Sequence, residues 1–422
     1  MAGRTGVDGT DRTSGEAEAG AATVWGGREY ERIRAFLDSE QRATPYLVTD
    51  PAIAADRFRR IGDAFPGARV YYAVKANPER AVLEELADLG ASFDVASPAE
   101  VRACLAAGAP ASALCYGSTI KKPADIGFAH ELGVRLFAFD SPGELDKIAR
   151  NAPGASVFCR LLVDNAGAQW PLGRKFGCSP ETAVEILDEG RRRGLRPVGV
   201  SFHVGSQQLD PCSWDRGIQL AAQTFRASAR RGLRLELLNL GGGFPARYTA
   251  PVPPIEHYAD RVHDSLRRHF GGRVPALMLE PGRSVTAEAG VIRSQVVLVT
   301  HRAHGDGRRW VYLDIGRFGG LAETEGEAIR YPLVTGHDGR PAGPVVIAGP
   351  TCDSADVLYD TAGYRLPLSL ADGDHVDILS AGAYTATYAS SGFNGFPPLR
   401  TYTLERPVAP HASTPRQRYA AP

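Results

Sequence analysis

The sequence predicts an α/β protein that joins a (β/α)₈ TIM-like barrel to a second, mainly antiparallel β domain. Between about residues 69 and 283, eight short apolar runs alternate with polar stretches of helical length. Near-continuous apolar strands that alternate with helices indicate parallel strands covered by helices. After Arg283 the chain changes to β-rich runs separated by Gly/Pro turns, without long helices between them. A doubly wound open sheet is the alternative to the barrel.

The predicted elements follow one another in regular order. The strand-like runs are Val70–Lys75, Ser92–Ala96, Ala113–Gly117, Leu136–Phe139, Val157–Val163, Val198–Val204, Leu235–Leu240 and Ala276–Glu280. The helix candidates include Pro78–Leu89, Pro98–Ala107, Pro142–Arg150, Pro180–Arg193, Ser213–Arg230 and Ile255–Phe270. Several of these helices open with Pro in the first turn, where its missing N–H breaks no hydrogen bond. The later β-runs are Gly290–Thr300, Arg309–Ile315, Pro344–Ile347 and His375–Ile378, and the Tyr46–Thr49 run is predicted to join their sheet.

This change of pattern sets the predicted domain limits. The barrel covers residues 51–285, and the β-rich domain combines residues 26–50 with residues 286–408. Residues 1–25 and 409–422 are rich in small and polar residues, which predicts disordered tails. The N-terminal tail lacks the apolar run of a signal peptide, so none is expected.

Composition excludes several classes of function. The 48 basic and 48 acidic residues give a net charge of zero, and no basic stripe stands out, which argues against nucleic acid or an anionic membrane as a partner. No apolar stretch reaches the ~18 residues of a membrane span. The six cysteines are scattered without a CxxC pair, which indicates free thiols in a reducing cytoplasm. No metal site is predicted.

Chemically useful residues stand at the ends of the predicted strands. In a (β/α)₈ barrel the functional residues lie at the carboxyl ends of the strands and on the loops that follow. The residues found there are Lys75, Asp94, Asp140, Arg160, His203, Ser206, the run Gly241-Gly242-Gly243, Glu280, Gly282 and Arg283. We therefore expect one site at this end of the barrel.

These residues fit one cofactor together better than any of them does alone. A lysine in an apolar strand end can form a Schiff base with an aldehyde, although a lone lysine there more often just reaches solvent. Three successive glycines, with Ser206 and Gly282, can present backbone N–H groups to a phosphate. Glu280 can hold the protonated nitrogen of a pyridine ring on which His203 stacks; the alternatives are a carboxylate paired with Arg283 and a structural histidine. Lysine, phosphate cradle and ring carboxylate together indicate pyridoxal 5′-phosphate.

The chain also resembles a known family over about residues 40 to 405. The shared motifs of the barrel are Tyr72-Ala73-Val74-Lys75-Ala76-Asn77, Asp94-Val95-Ala96-Ser97, Lys175-Phe176-Gly177, Ser201-Phe202-His203-Val204-Gly205-Ser206, Gly241-Gly242-Gly243-Phe244-Pro245 and Glu280-Pro281-Gly282-Arg283. Those of the second domain are Gly349-Pro350-Thr351-Cys352-Asp353-Ser354, Gly382-Ala383-Tyr384 and Phe393-Asn394-Gly395-Phe396. With these motifs the chain resembles the fold-type III pyridoxal-phosphate decarboxylases of basic amino acids, the ornithine and lysine decarboxylase group, which share the alanine racemase-like fold.

The resemblance implies a role for each site residue. Lys75 would be the Schiff-base lysine, His203 would stack on the ring, and Glu280 would hold the pyridinium. The phosphate would be bound by Ser206, Gly243, Gly282, Arg283 and Tyr384. Asp94 and Arg160 would line the cofactor and order Lys75.

The resemblance further implies a homodimer with two shared sites. Cys352 would reach into the partner's barrel and return a proton to the α-carbon after carbon dioxide leaves, while Asp353 would bind the distal ammonium of the substrate. For Cys352 the alternative is a small buried apolar residue. The stretch 319–325 departs from the eukaryotic ornithine decarboxylases and resembles a bacterial ornithine/lysine subgroup, in which Glu323 would supply a second acid to the substrate amine.

The implied reaction is decarboxylation of ornithine, lysine or both to putrescine or cadaverine and carbon dioxide. The two substrates differ by one methylene group, worth only ~1–3 kcal/mol in a pocket, and both remain open. The alternatives are a decarboxylase of diaminopimelate, of another diamino acid or of a carboxy-polyamine, an alanine racemase, and a catalytically dead regulatory homologue. The Cys352-Asp353 turn, with Asp where the diaminopimelate branch typically has Glu, favours a plain diamino acid.

Overall fold

The computed structural model describes residues 27–39, 42–171, 175–302 and 308–406. The predicted tails at residues 1–25 and 409–422 lie outside these ranges. Within the described residues, eight parallel strands close into a barrel and nine further strands form a mixed, largely antiparallel sheet. The predicted fold class is therefore confirmed. Among these residues no helix is both long enough and apolar enough to cross a bilayer.

The barrel strands are parallel and run in chain order around the barrel. They are β2 (Arg69–Ala73), β3 (Ser92–Val95), β4 (Leu114–Tyr116), β5 (Leu136–Phe139), β6 (Ser156–Arg160), β8 (Arg196–Ser201), β10 (Leu237–Asn239) and β11 (Ala276–Leu279), and β11 pairs with β2 to close the ring. Two more short strands, β7 (Ala168–Trp170) and β9 (Ser206–Gln208), form a separate antiparallel pair. Every strand of the barrel therefore ends at the same mouth.

The helices cover the outside of the barrel, apart from the first, whose Phe36 packs on Tyr402 of the second sheet. They are α1 (Glu31–Ser39), α2 (Pro51–Ala64), α3 (Arg80–Asp88), α4 (Pro98–Ala106), α5 (Pro123–Glu131), α6 (Pro142–Asn151), α7 (Pro180–Arg192), α8 (Trp214–Arg230), α9 (Ile255–Phe270) and the single turn α10 (Arg283–Thr286). Polar side chains cap several of them: Asp50 accepts from the N–H of Ala52 before α2, and Ser97 accepts from that of Glu100 before α4. Helices α1, α2 and α5 were not among the helix candidates.

The second sheet contains one strand that precedes the barrel in the sequence and eight strands that follow it. Its strands are β1 (Tyr46–Thr49), β12 (Gly290–His301), β13 (Arg309–Leu313), β14 (Leu333–Thr335), β15 (Ala342–Ala348), β16 (Val357–Tyr359), β17 (Arg365–Pro367), β18 (His375–Ile378) and β19 (Arg400–Thr403). As predicted, β1 joins this sheet, where it pairs antiparallel with β12 and parallel with β19. A second parallel pair, β13 with β15, makes the sheet mixed.

The barrel interior is a packed core and not a channel. A cluster of side chains from six of the eight barrel strands fills it, and its members are Tyr71, Cys115, Ala138, Phe158, Val198 and Met278. All six are buried. This filling leaves the carboxyl ends of the strands as the open end of the barrel.

The loop that follows β18 touches the end of β2. The side-chain amide of Asn77 donates to the carbonyl of Gly382 at 2.9 Å, and the N–H of Tyr384 donates to the carbonyl of Ala76 at 2.8 Å. The second sheet therefore contributes directly to the mouth of the barrel.

Gly199 in β8 is required by the close approach of β10. A Cβ at this position would overlap the carbonyl oxygen of Leu237, whereas a Cβ on Gly62 in α2 would meet nothing within 4 Å. We expect Gly199→Ala to lower the free energy of unfolding by about 1–3 kcal/mol through overpacking. Gly62→Ala is the control and should leave it unchanged or raise it by up to ~1 kcal/mol. Denaturant unfolding of both variants checks this, and equal stabilities would contradict the role given to Gly199.

Candidate active site

Lys75 lies in a tight turn at the mouth of the barrel. Strand β2 ends at Ala73, and Val74–Ala76 form a 3₁₀ turn, so Lys75 follows the strand instead of ending it as predicted. The turn is fixed on both sides, because Ala73 donates to the carbonyl of Pro281 and Tyr384 donates to that of Ala76. The hydroxyl of Thr387 also donates to the carbonyl of Lys75 at 3.1 Å. The Lys75 side chain is thus held at the centre of the mouth.

Asp94 is the ionic partner of Lys75. Its Oδ2 lies 3.2 Å from Nζ of Lys75. Its Oδ1 is buried and has no hydrogen-bond partner among the described residues. Gly117 makes room for this carboxylate, since a Cβ there would overlap it. A free buried carboxylate oxygen beside a lysine leaves a place for a donor from a bound molecule.

The charges around Lys75 keep its amine protonated. Burial lowers the pKa of Lys75, but Asp94, Tyr384 and Glu280 raise it more, so the pKa of this amine lies above its ordinary value. The side chain is 52% exposed, so burial is incomplete and the carboxylates decide the direction.

Glu280 is a carboxyl group that forms no ion pair with any described residue. Burial and then Asp94 raise its pKa to about 7, against the lowering effects of Lys75, Asn239 and Arg160. Asn239 holds it, because its amide donates to Oε1 of Glu280 at 2.6 Å and its carbonyl oxygen accepts from the N–H of Gly241. The carboxyl group of Glu280 therefore has a fixed orientation, and a positive group that approaches it would lower its pKa.

His203 is neutral and has a defined tautomer. Burial, Arg160 and Lys75 lower its pKa well below the ordinary value. Its Nδ1 lies 3.0 Å from the backbone nitrogen of Gly205, which donates to it, so the ring proton is assigned to Nε2. Nε2 faces Gly242, where a Cβ would approach within 3.3 Å. Arg160, one of the two cations that lower the pKa of His203, lies with its guanidinium over the ring of Phe176, 5.4 Å from the ring centre.

The glycines at the ends of β10 and β11 line a cradle of backbone. Gly241 and Gly243 have φ of +67° and +99°, which other residues rarely adopt. A Cβ would overlap the carbonyl of Phe202 at Gly241, and that of Gly205 at Gly243. At Gly282 it would come within 3.1 Å of the Tyr384 hydroxyl. Only glycine allows these backbone segments to lie so close.

Arg283 lies beside this cradle. Its guanidinium donates to Ser206, Tyr248 and Glu323, and it lies over the ring of Tyr384 at 4.8 Å. Tyr384 itself has a left-handed φ of +61°, which costs of order 1–3 kcal/mol and typifies functional sites. Ser206, Gly243, Gly282, Arg283 and Tyr384 are therefore neighbours, as expected of a phosphate site.

The structure places Glu323 away from the position expected for it. Its side chain is 4% exposed, and both carboxylate oxygens accept from Arg283, at 2.6 and 2.7 Å. A carboxylate bound in this way is not presented to a substrate amine. The sequence could not show this, because the direction in which the turn before Glu323 points depends on the packing of the second sheet.

Cys352 and Asp353 lie on the surface of the same chain. Both residues are exposed, so the alternative of a buried apolar Cys352 is wrong. The N–H of Cys352 donates to Asn394 at 2.9 Å, and Asp353 accepts from the N–H of Ala355. Within the described ranges no hydrogen bond or ion pair joins either residue to Lys75. They adjoin an exposed apolar patch formed by Tyr388, Phe393 and Phe396.

Sequence analysis did not identify three residues of the site. Asn239 fixes Glu280, Tyr248 contacts Arg283, and Asn77 connects the Lys75 turn to the second sheet. Asn239 could have been identified from the sequence, because a polar amide in an apolar strand just before three glycines needs a hydrogen-bond partner. Tyr248 gave none, since it lies in an irregular loop.

The sequence is similar to a known family of enzymes. A family model described as the pyridoxal binding domain of pyridoxal-dependent decarboxylases matches residues 53–287. Among curated proteins, the chain is 32% identical to a lysine/ornithine decarboxylase of Selenomonas ruminantium over 354 residues, which is 84% of this chain and 88% of the relative. It is 31% identical to an ornithine decarboxylase of Panagrellus redivivus over 376 residues, 85% of each chain.

Solved structures show the same similarity. The lysine/ornithine decarboxylase of Vibrio vulnificus, solved with cadaverine, superposes with a TM-score of 0.80 at 33% identity. The superposition covers 89% of this chain and 99% of that one.

Glu280 should make the stability of the cofactor-free protein depend on pH. Its pKa rises from 4.5 in the unfolded chain to about 7 in the folded one, so folding favours the protonated form. Stability from this group is fully present below pH ~4.5 and is lost as the pH rises through ~7, by at most ~1.4 kcal/mol per pH unit. Glu280→Gln removes the titration.

Thermal unfolding of both proteins between pH 5 and 8 measures this effect. The melting temperature of Glu280→Gln, relative to the original protein, should increase from pH 5 to about pH 7 and level off above it, because both states are then deprotonated. A difference that stays constant from pH 5 to 8 would show that Glu280 titrates outside it.

Proposed function

This chain belongs to the pyridoxal-dependent decarboxylases of basic amino acids, and we propose that it removes the α-carboxyl group of ornithine, lysine or both. The products are putrescine or cadaverine, and carbon dioxide. The observation that carries this proposal is the Lys75 amine, which lies 3.2 Å from Asp94 at the same mouth of the barrel as the glycine cradle.

The residues of the mouth fit pyridoxal 5′-phosphate. At Gly241, Gly243 and Gly282 the backbone carries no side chain that could shield its N–H groups, the unpaired Oδ1 of Asp94 can take a donor, and Glu280 can meet a ring cation. When bound, this cofactor supplies an electron-withdrawing ring that takes up the electron pair left when the carboxyl group departs. Lys75 would hold the cofactor covalently through Nζ.

The first requirement for reaction at this site is a neutral Lys75 amine. The neighbouring carboxylates keep this amine protonated, so it must release a proton before it can react. Asp94, whose Oδ2 lies 3.2 Å away, would line the cofactor and order the Lys75 side chain. Arg160, on the other side of the mouth, would line the cofactor and balance the two carboxylates.

The second requirement is a defined orientation of the ring. Glu280 is held in place by the amide of Asn239 and would keep a proton on the ring nitrogen. Its pKa is about 7 without a cationic partner, and a protonated ring nitrogen beside it would favour its charged form. His203 would lie against the ring face as a neutral imidazole, since its pKa is well below the ordinary range. Ser206, Gly243, Gly282, Arg283 and Tyr384 would bind the phosphate.

The proposal includes a homodimer with shared sites. Cys352 and Asp353 are exposed beside the apolar patch of Tyr388, Phe393 and Phe396, which supports their burial against a second copy. In that dimer Asp353 would bind the distal ammonium of the substrate, and the thiol of Cys352 would give a proton to the α-carbon. All six cysteines are free, which supports a location in the reducing cytoplasm.

The substrate is tested by carbon dioxide release from a panel of ornithine, lysine, arginine, diaminopimelate and glutamate. Release from ornithine or lysine, with little from the others, is the expected result. Preferential release from diaminopimelate or glutamate would overturn the proposed substrate class.

Lys75→Ala should abolish nearly all turnover and the covalent attachment of cofactor, because no other amine occupies this position. The measurement is the mass of the protein after incubation with pyridoxal phosphate and reduction with borohydride. Lys122→Ala, at an exposed lysine, is the control and should keep both properties. A Lys75→Ala protein that still gains the cofactor mass at one site would refute the assignment of Lys75.

Asp353→Ala should lower kcat/KM for ornithine or lysine by about two to three orders of magnitude. Removing one partner of a buried ion pair costs roughly 3–5 kcal/mol, and each ~1.4 kcal/mol is tenfold. Cofactor binding should barely change. Asp63→Ala, on the outside of helix α2, is the control and should leave kcat/KM unchanged.

Mixing the two inactive variants tests the shared site. If subunits exchange at random, Lys75→Ala and Asp353→Ala should together restore up to about a quarter of all sites, because half the dimers are mixed and one of their two sites is intact. No recovery after proven exchange would place Asp353 outside the partner's site.

A further inference from the structure

Two of the six free cysteines lie against each other where strand β6 reaches the barrel mouth. The sulfurs of Cys159 and Cys178 are 3.5 Å apart, which is within hydrogen-bonding distance for thiols. Cys159 is completely buried, whereas Cys178 is half-buried. The other four cysteines, all of them within the described ranges, make no sulfur–sulfur contact of this kind. The two residues therefore form a dithiol that the fold itself brings together.

Backbone hydrogen bonds hold the two cysteines in register. Beyond the end of β6, Leu161 and Cys178 pair as a parallel bridge. The N–H of Cys178 donates to the carbonyl of Arg160 at 3.0 Å, and the N–H of Leu162 donates to that of Cys178 at 2.9 Å. Alternate residues along a strand share a face, so Cys159 lies on the same face as Leu161, the partner of Cys178.

The segment that carries Cys178 already fits closely against β6. Gly177 has a φ of +99°, and a Cβ at this position would come within 2.7 Å of the backbone nitrogen of Leu162. The N–H of Gly177 also donates to Oδ2 of Asp140 at 2.9 Å. The backbone of this segment therefore has no room to move closer to the strand.

Both cysteines adjoin residues of the candidate active site. Arg160 follows Cys159 directly, and its guanidinium lies over the ring of Phe176, 5.4 Å from the ring centre. Phe176 stands two residues before Cys178. A change in the distance between the two sulfurs would therefore act on Arg160 from the strand and from the segment paired with it.

We propose that Cys159 and Cys178 are an oxidation site for low-molecular-weight disulfides, and that the intrachain disulfide formed there weakens cofactor binding by displacing Arg160. An S–S bond is ~2.0 Å long, so the sulfurs, now 3.5 Å apart, must approach by about 1.5 Å. Because the backbone at Gly177 cannot move inward, the adjustment reaches Arg160 and Phe176. The effect on the cofactor rests on the proposed function, whereas formation of the bond does not.

The reaction consists of two thiol–disulfide exchanges. The thiolate of Cys178, the more accessible of the two, attacks one sulfur of the small disulfide, whose S–S bond breaks and releases one small thiol. The sulfur of Cys159 then attacks Sγ of Cys178 and releases the second small thiol, which takes up the proton of Cys159. The protein loses two thiol hydrogens, and one small disulfide is reduced to two thiols.

The surroundings of Cys159 set the order of these two steps. Burial, the contact with Cys178 and the charge of Asp140 raise the pKa of the Cys159 thiol well above its ordinary value. A thiol that holds its proton reacts poorly with a reagent in solution. Cys159 therefore reacts only after Cys178 has formed a mixed disulfide beside it.

The test treats the reduced full-length protein with oxidised glutathione, removes the reagent, and follows both the bond and the cofactor. Peptide mass mapping should find a cross-link between Cys159 and Cys178. The dissociation constant for pyridoxal phosphate, measured by equilibrium dialysis after removal of bound cofactor, should rise about 10- to 100-fold, as for loss of a hydrogen bond to a charged group. Dithiothreitol should reverse both changes.

Three variants assign the effect to this pair. Cys178→Ser should form no cross-link and keep its dissociation constant under the same treatment. Cys212→Ser, at an exposed cysteine outside the pair, is the matched control and should respond as the original protein does. Cys159→Ser should carry glutathione at Cys178, because the second exchange is blocked. All three variants keep the exposed Cys352, so a reaction at that thiol affects them equally.

Each result decides between the alternatives. Absence of the cross-link in the original protein, a cross-linked protein that binds pyridoxal phosphate as tightly as treated Cys178→Ser, or no adduct at Cys178 in Cys159→Ser would overturn the proposal. If Cys178→Ser does not fold, Cys178→Ala gives the same comparison. If the reduced original protein does not bind pyridoxal phosphate, the proposed function fails, and peptide mapping alone decides whether the dithiol is an oxidation site.

Discussion

The buried ion pair between Arg283 and Glu323 is the contact on which the rest of the site depends. Arg283 begins the turn that leaves the last barrel strand, and Glu323 belongs to the loop after β13, so the pair joins the barrel to the second sheet. Separation of these two parts would leave two charges without partners in a dry interior, which is strongly unfavourable. The pair thereby fixes how the sheet closes over the mouth, and with it the positions of Tyr384 and Ser206.

The remaining charges of the mouth act as one network. Asp94 and Glu280 raise the pKa of Lys75, Asp94 also raises that of Glu280, and burial together with Arg160 and Lys75 keeps His203 neutral. The result is a lysine that holds its proton and a glutamate that titrates near neutrality. Several perturbed pKa values in a single cleft are characteristic of catalytic sites.

The sequence predicted the barrel and the cluster of Lys75, Asp94 and Glu280, because parallel strands must bring their carboxyl ends together. It did not predict contacts that depend on the meeting of two separate parts of the chain. Glu323 and Tyr248 are examples, since no local pattern indicates that both face Arg283. Helix α5 was missed for a local reason: its residues lack a clear apolar face. The turn that carries Lys75 is likewise imposed by contacts from Pro281 and Tyr384 and not by its own residues.

The pairing of β1 has a consequence for biosynthesis. This strand precedes the barrel in the chain, yet its neighbours in the sheet are β12 and β19, which follow it. During translation Tyr46–Thr49 emerge first and must wait for their parallel partner, Arg400–Thr403, until nearly all of the described chain has left the ribosome. The barrel can assemble in the meantime from local βα units, but the sheet closes last, because its contacts are among the most distant in sequence. A nascent chain interrupted before β19 therefore carries an unsatisfied sheet edge, the kind of surface that chaperones protect.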